Sequence, residues 1–359
     1  MVKKPTVIST FAGCGGSSLG YRMAGFRELL ATDFNDDSVK VFKDNFPGVL
    51  VLQADICQVT VADLLTLTGL EPGELDVLDG SPPCQGFSHA GRRNVRDSRN
   101  DLFKQYVRLV RGLKPKVFVM ENVAGMASGR MKGRFVEILK TLKALGYVVK
   151  CKLMDSKYYG VPQSRKRLIF IGVRKDLGLD PVFPEPLKHI ITVRKAFEGL
   201  PPQTEDRPMP DWLRQAAKHI KAGMNFKHVA SVFQQIKGSP GGCIATRRQF
   251  WDRPASTLVS SEFGAGLLHP GEDRFLTLAE MKRLASFPDD FKFTDRRLGC
   301  ERIGNAVMPV FMYHIAKTIR ERVLETGQNG PRTSQVTQRQ GGPCPGRGRA
   351  GKRARGVKR

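Results

Sequence analysis

The stretch TVISTFAGCGG, residues 6–16, indicates the fold class of this 359-residue chain. Its first part, Thr6 to Phe11, is apolar enough to form a buried strand and runs directly into a glycine-rich turn. Glycines between a first strand and a first helix let the backbone approach a ligand closely. By itself the turn suits either a dinucleotide site or merely a tight turn. Because its spacing is not G-x-G-x-x-G, it leans away from NAD.

Short apolar segments alternate with helical patterns through the first half of the chain. The predicted helices are Leu102 to Leu113 and Arg134 to Leu145, the second ending at Gly146, a helix-stop residue. Strands that alternate with helices predict an α/β fold built on a parallel, doubly wound sheet. The predicted strands are Thr6 to Phe11, Leu29 to Asp33, Leu50 to Ile56, Leu75 to Asp79, Val117 to Met120 and Leu168 to Val173.

The pattern changes near residue 180, where prolines become frequent and the helical and strand periodicity weakens. Helical spacing returns over Leu276 to Phe287 and Val307 to Leu324. We therefore predict a larger domain formed by residues 1–180 and 296–327, and a smaller, loop-rich domain with its hinge at 181–295. Residues 328–359 contain almost nothing apolar and are predicted to be a disordered basic tail.

The charge of the chain points to a polyanionic partner. The formal net charge is +25, of which the nine Lys and Arg of the tail account for +9, so the remainder is also basic. Such a balance favours nucleic acid as the partner. An apolar fraction of 40% and a charged fraction of 26% are typical of soluble globular proteins. Neither a membrane span nor a signal peptide is recognisable, so the cytoplasm is the expected compartment.

The run Gly80-Ser81-Pro82-Pro83-Cys84-Gln85-Gly86-Phe87-Ser88 presents one thiol directly behind two prolines. The prolines force an extended approach of the backbone, which suits a reactive thiol more than a packed one. A buried structural cysteine remains the alternative at this point, since free cysteine is often buried. The seven cysteines are scattered without a Cys-x-x-Cys pair, so neither a zinc site nor a disulfide framework is expected.

Charged residues follow several of the predicted strands. Asp33 and Asp55 end two strands, Glu121 follows another, and Arg165 and Arg167 precede the last. In a doubly wound sheet, the carboxyl ends of the strands line the ligand crevice. Two acids at successive strand ends suit a nucleoside-type cofactor better than a full dinucleotide. The arginines, at i and i+2 on an extended segment, are expected to point to the same side.

Taken together, these motifs resemble those of DNA (cytosine-5)-methyltransferases of restriction-modification systems. The matching motifs are FAGCGG, PPCQGFS, ENV, QSRKR, LTLAEMKRLASFPDDF and Gly304-Asn305-Ala306-Val307, in the usual order of the family. The resemblance implies a Rossmann-like S-adenosylmethionine-dependent methyltransferase domain with a smaller, loop-rich target-recognition domain.

The resemblance also implies the reaction. A methyl group passes from S-adenosylmethionine to C5 of a cytosine flipped out of duplex DNA, leaving S-adenosylhomocysteine. Cys84 would attack C6 of the base, and Glu121 would bind its N3/N4 edge. Arg165 and Arg167 would supply the positive charge that favours the thiolate.

Further residues are assigned by the same resemblance. Ser9 stands where Asp is frequent in the family, and Asp33 where Glu is frequent. The implied cofactor contacts are Phe11, Gly13, Cys14, Gly16, Asp33, Asp55, Ile56, Pro83, Leu102 and Asn305.

DNA contacts are expected from a loop and from the recognition region. The segment Ser88 to Asn100 carries four Arg against one acid and matches the mobile loop over the flipped base. The recognition region corresponds to about residues 181–275. The expected DNA-contacting residues are Gln85, Ser88, Arg92, Arg93, Arg247 and Arg248. The family resemblance further implies a monomer, with a cognate restriction endonuclease as a functional partner.

Three other functions compete with this interpretation. A tRNA cytosine-5 methyltransferase would share the fold, but the Cys-Phe-Thr signature of that group is absent. An inactive DNA-binding regulator would not need Cys84, Glu121 and both arginines. An NAD-dependent oxidoreductase lacks its glycine spacing and leaves the Pro-Pro-Cys run unexplained.

Overall fold

The computed structural model describes residues 3–83, 102–127, 132–238, 247–260 and 267–326. The strands are β1 (Thr6–Thr10), β2 (Arg27–Asp33), β3 (Leu50–Gln53), β4 (Val77–Gly80), β5 (Val117–Val123), β6 (Tyr147–Asp155) and β7 (Lys166–Arg174). The helices are α1 (Gly16–Met23), α2 (Asp36–Asn45), α3 (Val61–Thr68), α4 (Leu102–Leu113), α5 (Lys132–Ala144), α6 (Val193–Phe197), α7 (Asp211–Ala217), α8 (Ala230–Lys237), α9 (Leu278–Leu284), α10 (Arg296–Asn305) and α11 (Pro309–Ile319). A π-helical turn, Arg320–Leu324, continues α11.

The seven strands form one sheet in the order β3-β2-β1-β4-β5-β7-β6. The first five strands of the chain pair in parallel, and the order reverses between β1 and β4. In open α/β sheets the crevice at such a reversal is where ligands bind. The predicted α/β, doubly wound fold class is confirmed.

The expectation that the sheet is parallel throughout is wrong at β7. This strand runs antiparallel to both β5 and β6. The segment between β6 and β7, residues 156–165, holds a single 3-10 turn, Ser156–Tyr159, and no crossover helix. Because a parallel return needs a crossover of a dozen residues or more, so short a connection forces antiparallel pairing. The beginning of β7 therefore lies beside the carboxyl end of β5.

Successive side chains of each strand point to opposite faces of the sheet, so two cores form, one on each face. Val117 and Val119 of β5 pack on one face, and Phe118 and Met120 on the other. The first face is covered by α1, α2, α9, α10 and α11, and the second by α3, α4 and α5. Both faces are thus buried, which explains why the central strands are apolar on both sides.

Residues between 209 and 275 build a small core of their own. Buried members include Leu213 of α7, Val229 before α8, and Leu268 and Phe275 from the segment that follows. Only isolated bridges, such as Arg248 with Leu268, replace a β-ladder in the described part of this region. The predicted division into two domains remains a prediction, and the predicted tail, 328–359, lies outside the described residues.

Helix starts follow the local sequence. Asn35 caps α2 by accepting a hydrogen bond from the Ser38 amide at 2.9 Å. Thr60 and Asp63 form a capping box at α3, and their hydrogen bond lowers the pKa of Asp63. Among the described residues, no helix combines the length and apolarity needed to cross a bilayer.

Candidate functional site

Glu121 and Arg167 form a close ion pair at the carboxyl edge of the sheet. The Arg167 Nε lies 2.6 Å from Glu121 Oε1, and the two side chains are only 16% and 12% exposed. Arg167 is the register partner of Val123, two residues beyond Glu121 on the same face of β5. A diagonal pair of this kind is within reach of long side chains. The antiparallel direction of β7 is therefore what brings this arginine to the acid.

Asn122 ties β5 to the loop that leads to Cys84. Its side-chain amide donates to the Pro82 carbonyl oxygen at 3.2 Å, and the residue is only 4% exposed. The preceding strand, β4, ends at Gly80, so Pro82 and Pro83 leave the sheet beside Glu121. Asn122 was not among the predicted site residues, although it is the middle residue of the ENV motif. Cys84, Gln85, Ser88, Arg92 and Arg93 lie outside the described residues.

Arg165 is used differently from Arg167, although the two were expected to face the same way. It precedes β7, is 4% exposed, and donates from its two Nη atoms to the Leu258 and Gly304 carbonyl oxygens, both at 2.8 Å. Burial lowers the pKa of its guanidinium, the charge of Arg167 lowers it further, and Glu121 opposes this. Arg165 therefore joins three chain segments while placing a buried positive charge near Glu121.

The described cysteines are poorly suited to act as thiolates. Burial raises the pKa of Cys14 and of Cys151 to about 12, and that of Cys300 to about 11. Cys57 is exposed, and desolvation together with a hydrogen bond to Asp55 raises its pKa as well. A nucleophilic thiol needs a lowered pKa. None of these four cysteines competes with Cys84 for that role.

The glycine-rich turn carries left-handed backbone and faces open space. Phe11 has φ of 54°, which is uncommon for a bulky residue and points to a functional constraint. Gly13 shares this conformation, and a side chain added there would meet no described atom within 4 Å. The Gly13 amide donates to Asp33 Oδ2 at 2.8 Å, which fixes the acid that ends β2 over the turn.

The turn is also held against the end of α10. A side chain at Gly16 would collide with the Val307 carbonyl oxygen, so only glycine allows this approach. Asn305, the last residue of α10, is exposed near this contact. The segments that carry FAGCGG and GNAV, far apart in sequence, thus meet here.

Phe34 directly follows Asp33 and is 70% exposed. This residue was not predicted, although an aromatic side chain directly after the acid that ends a strand is visible in the sequence. A large apolar side chain this exposed, directly after the acid that ends β2, offers a face on which a flat ring can stack.

The remaining predicted cofactor contacts follow β3 and β4 or begin α4. The Asp55 Oδ1 accepts from the Cys57 amide at 2.9 Å, and Ile56 is buried in the core beneath it. Leu102 begins α4 and is half-buried against the same core, and Pro83 is half-buried at the end of the described segment.

The two predicted DNA-contacting arginines of the recognition region differ. Arg247 is exposed. Arg248 is 7% exposed, and its five N–H groups are all used by acceptors within the protein. These acceptors are the carbonyl oxygens of Ala217, Ile220, His269 and Glu272 and the Asp273 carboxylate. Because no donor is left for DNA, the prediction for Arg248 is wrong, and the residue ties the region together instead.

Comparison with known proteins identifies the family. The model of the C-5 cytosine-specific DNA methylase family matches residues 5–321. The type II methyltransferase M1.HphI of Haemophilus parahaemolyticus is 35% identical over 339 residues, covering 90% of this chain and 88% of that protein. The type II methyltransferase M.NgoFVII of Neisseria gonorrhoeae is 32% identical over 332 residues, covering 88% and 86% respectively.

Solved structures share the fold. A DNA modification methyltransferase encoded within a prophage of E. coli superimposes with a TM-score of 0.73 at 25% identity, covering 90% of this chain and 100% of that one. A mutant of Spodoptera frugiperda DNMT2 shares the fold with a TM-score of 0.62 at 17% identity, covering 89% of this chain and 100% of that one. From the family match and these relatives we conclude that the chain belongs to the C-5 cytosine-specific DNA methylase family.

Proposed function

We propose that this protein transfers a methyl group from S-adenosylmethionine to C5 of a cytosine flipped out of a specific duplex sequence. The observation that carries the proposal is the ion pair of Glu121 with Arg167, beside the Pro82 carbonyl that Asn122 holds. It puts a carboxylate and a guanidinium next to the loop that continues into Cys84. Family membership and the net charge of +25 support DNA as the substrate.

The residues present fit S-adenosylmethionine. The open space over Gly13 admits a ligand close to the backbone, and the exposed Phe34 offers a face for a purine ring. Asp33 would accept from ribose hydroxyls, and Asp55 from the exocyclic amine of adenine. When bound, the cofactor supplies a methyl group on a positively charged sulfur. The proposed contacts are Phe11, Gly13, Cys14, Gly16, Asp33, Phe34, Asp55, Ile56, Pro83, Leu102 and Asn305.

Cys84 is the proposed nucleophile, because C5 of cytosine reacts poorly by itself. Its thiolate forms a bond to C6, and the electron pair of the C5–C6 double bond moves toward C5. Once C5 has accepted the methyl group, loss of the C5 proton to a base restores the double bond and expels the thiolate. One difficult step is thereby divided into easier ones.

Glu121 and the arginines are assigned supporting tasks in this chemistry. The Glu121 carboxylate would accept a hydrogen bond from the amino group of the cytosine and so orient the base. Arg167 holds that carboxylate in place at 2.6 Å. Arg165, whose Nη atoms are occupied by carbonyl groups, acts as a positioning residue whose buried charge favours the thiolate.

Contacts to DNA are proposed from Gln85, Ser88, Arg92, Arg93 and the exposed Arg247. A cytosine inside a duplex is inaccessible, so the enzyme must extrude it. We further propose a cytoplasmic monomer whose methylation protects the site from a cognate restriction endonuclease, without a stable complex between the two proteins.

The test uses purified protein, labelled S-adenosylmethionine and DNA from a host that lacks cytosine methylation. Bisulfite sequencing should show methylated cytosines within one short sequence. A duplex with 5-fluorocytosine at that site should form a covalent adduct stable on a denaturing gel, because fluorine cannot leave as a proton does. If the label appeared in transfer RNA while the DNA stayed unmethylated, the proposed substrate would be contradicted. If DNA were methylated but no adduct formed, addition at C6 would be contradicted.

A further inference from the structure

A cluster of buried and partly buried polar side chains lies beneath α1 and is distinct from the groups assigned to the reaction. Buried polar side chains require hydrogen-bond partners, and those partners show which elements the cluster joins. Its members are Ser9 of β1, Ser17, Ser18 and Tyr21 of α1, Glu28 of β2 and Asp79 of β4.

Asp79 is the member that joins α1 to β4. Its Oδ2 accepts from the Ser17 hydroxyl at 2.6 Å, and its Oδ1 accepts from the Tyr21 hydroxyl at 3.3 Å. Asp79 is 3% exposed, so these donors replace water at its carboxylate. Its own carbonyl oxygen accepts from the Thr10 hydroxyl at 3.0 Å. Contacts from β1 and α1 thus converge on one residue.

The two ends of this connection lead directly into the proposed site. Ser17 is the second residue of α1 and immediately follows the glycine turn that ends at Gly16. Asp79 is the next-to-last residue of β4, five positions before Cys84. One carboxylate therefore sets the glycine turn relative to the strand that delivers the thiol.

We infer that Asp79 is a positioning residue that holds the glycine turn in register with the carboxyl end of β4 and thereby raises the affinity for the cofactor. This inference rests on the proposed function, since it concerns the same cofactor site. Breaking a hydrogen bond between two buried groups leaves a polar group unsatisfied, so this contact holds both segments in place. A turn already fixed before binding loses less conformational freedom when the ligand arrives.

Electrostatics agrees with a carboxylate that depends on its donors. Burial raises the pKa of Asp79 to about 7, while the hydrogen bonds from Ser17 and Tyr21 lower it and the charge of Glu121 raises it. Without its donors the buried charge would have no compensation.

The chain offers a matched control pair on the same helix. Ser18 donates to Glu28 Oε1 at 2.7 Å, and burial raises the pKa of Glu28 to about 7 as well. Glu28 pairs with Val7 near the beginning of the strands, whereas Asp79 pairs with Ser9 near their carboxyl ends. A purely structural role for buried carboxyls under α1 would make both pairs equivalent.

The experiment compares Asp79→Asn, Ser17→Ala and their double variant with Glu28→Gln and Ser18→Ala. The affinity for S-adenosylhomocysteine is measured by calorimetry, and hydrogen exchange of the glycine turn is measured in cofactor-free protein. We expect Asp79→Asn and Ser17→Ala each to weaken binding about tenfold, the value for about 1.4 kcal/mol. The double variant should lose no more than either single variant, since both remove one interaction. Exchange at the turn should rise in all three.

The control variants should bind S-adenosylhomocysteine within about twofold of wild type, as expected for a site that does not touch the turn. Equal losses in the Asp79 and Glu28 variants, or no loss at Asp79, would overturn the inference. If Asp79→Asn does not fold, Ser17→Ala removes the same hydrogen bond with a smaller change and decides the question. Failure of the wild type to bind S-adenosylhomocysteine would instead contradict the proposed function.

Discussion

Two regions of the molecule carry arginines near one another in sequence and use them in opposite ways. At the sheet, the pairing of β7 with β5 sets the direction of Arg167, which reaches Glu121 at the edge of the site. In the described part of the recognition region, single bridges take the place of a ladder, and Arg248 donates to backbone carbonyl oxygens such as those of Ala217 and Ile220. In the sheet, backbone groups bond to one another, so the Arg167 side chain is left to pair with Glu121. Where no ladder forms, the Arg248 side chain bonds to backbone carbonyl groups instead.

This contrast predicts different consequences of losing a side chain. In the sheet region, the backbone hydrogen bonds maintain the fold, so a change at the site should mainly affect turnover. In the recognition region, a change at a buried arginine should mainly affect folding. The variants below separate these outcomes, beginning with the largest effect.

Cys84→Ser should reduce methyl transfer by roughly 10³-fold or more, as for other lost nucleophiles. Serine is a far weaker nucleophile at neutral pH, while its size is nearly unchanged. Affinity for duplex DNA, measured by fluorescence anisotropy, should remain near that of wild type. Turnover near the wild-type rate would remove Cys84 from the proposed mechanism.

Glu121→Gln should lower turnover by roughly 10²-fold, the scale seen when one preorganised polar group is lost. The amide cannot pair with Arg167 as a carboxylate does, and it presents a donor to the amino group of the base. The thermal unfolding midpoint should change little, because the ladder of β5 remains. Glu137→Gln, at an exposed position on α5, is the control and should keep full activity.

Arg248→Met should destabilise the recognition region by about 3–5 kcal/mol, as when one partner of a buried polar pair is removed. The loss leaves Asp273 and four carbonyl groups without their donor. Chemical denaturation followed by the fluorescence of Trp212 and Trp251 measures the effect. Arg247→Met is the control: stability should hold, while DNA affinity and its salt dependence should fall. Equal stability of the two variants would remove the contrast between the regions.

The sequence was sufficient to predict the strands β1 to β5 and β7 and the helices α4 and α5. The prediction for α4, Leu102 to Leu113, matches its bounds because apolar residues recur at helical spacing. The prediction missed β6, in which lysines interrupt the apolar alternation at the edge of the sheet. It also missed α10, whose sequence RRLGCERIGN carries two glycines and few apolar residues.

The features that could not be predicted depend on contacts between residues distant in sequence. Nothing local distinguishes Arg248 from Arg247, since burial of the former requires carbonyl groups from two distant segments, 217–220 and 269–272. Ser9 stands where Asp is frequent in the family, and its register partner on the neighbouring strand is Asp79. A buried carboxylate is therefore present at this level of the sheet, supplied by β4 rather than β1.

The pH dependence of stability should also differ between the two regions, with the smallest effects of the set. Burial raises the pKa of Asp79 and Glu28 to about 7, from 3.8 and 4.5. The stability that these two carboxyl groups contribute to the folded protein is fully present below their pKa values in the unfolded chain. It is lost as pH rises to about 7. The titratable groups around Asp79 are Tyr21, Glu28, Tyr106 and Glu121.

In the recognition region the sign is reversed. Burial lowers the pKa of His269 below 6.5, against the charges of Glu280 and Glu272, while Arg274 and Arg248 lower it further. The unfolded chain then binds protons more readily, so stability is lost as pH falls below about 6.5.

Hydrogen exchange between pH 5 and 8, corrected for intrinsic rates, should therefore show protection of β4 and α1 falling with pH and protection around residue 269 rising. Asp79→Asn combined with Glu28→Gln should flatten the first trend and leave the second. His269→Gln should do the reverse, because each change removes only the titrating groups of its own region. Parallel trends in both regions would mean that a single global unfolding step governs exchange, and the two regions would then share one stability rather than two.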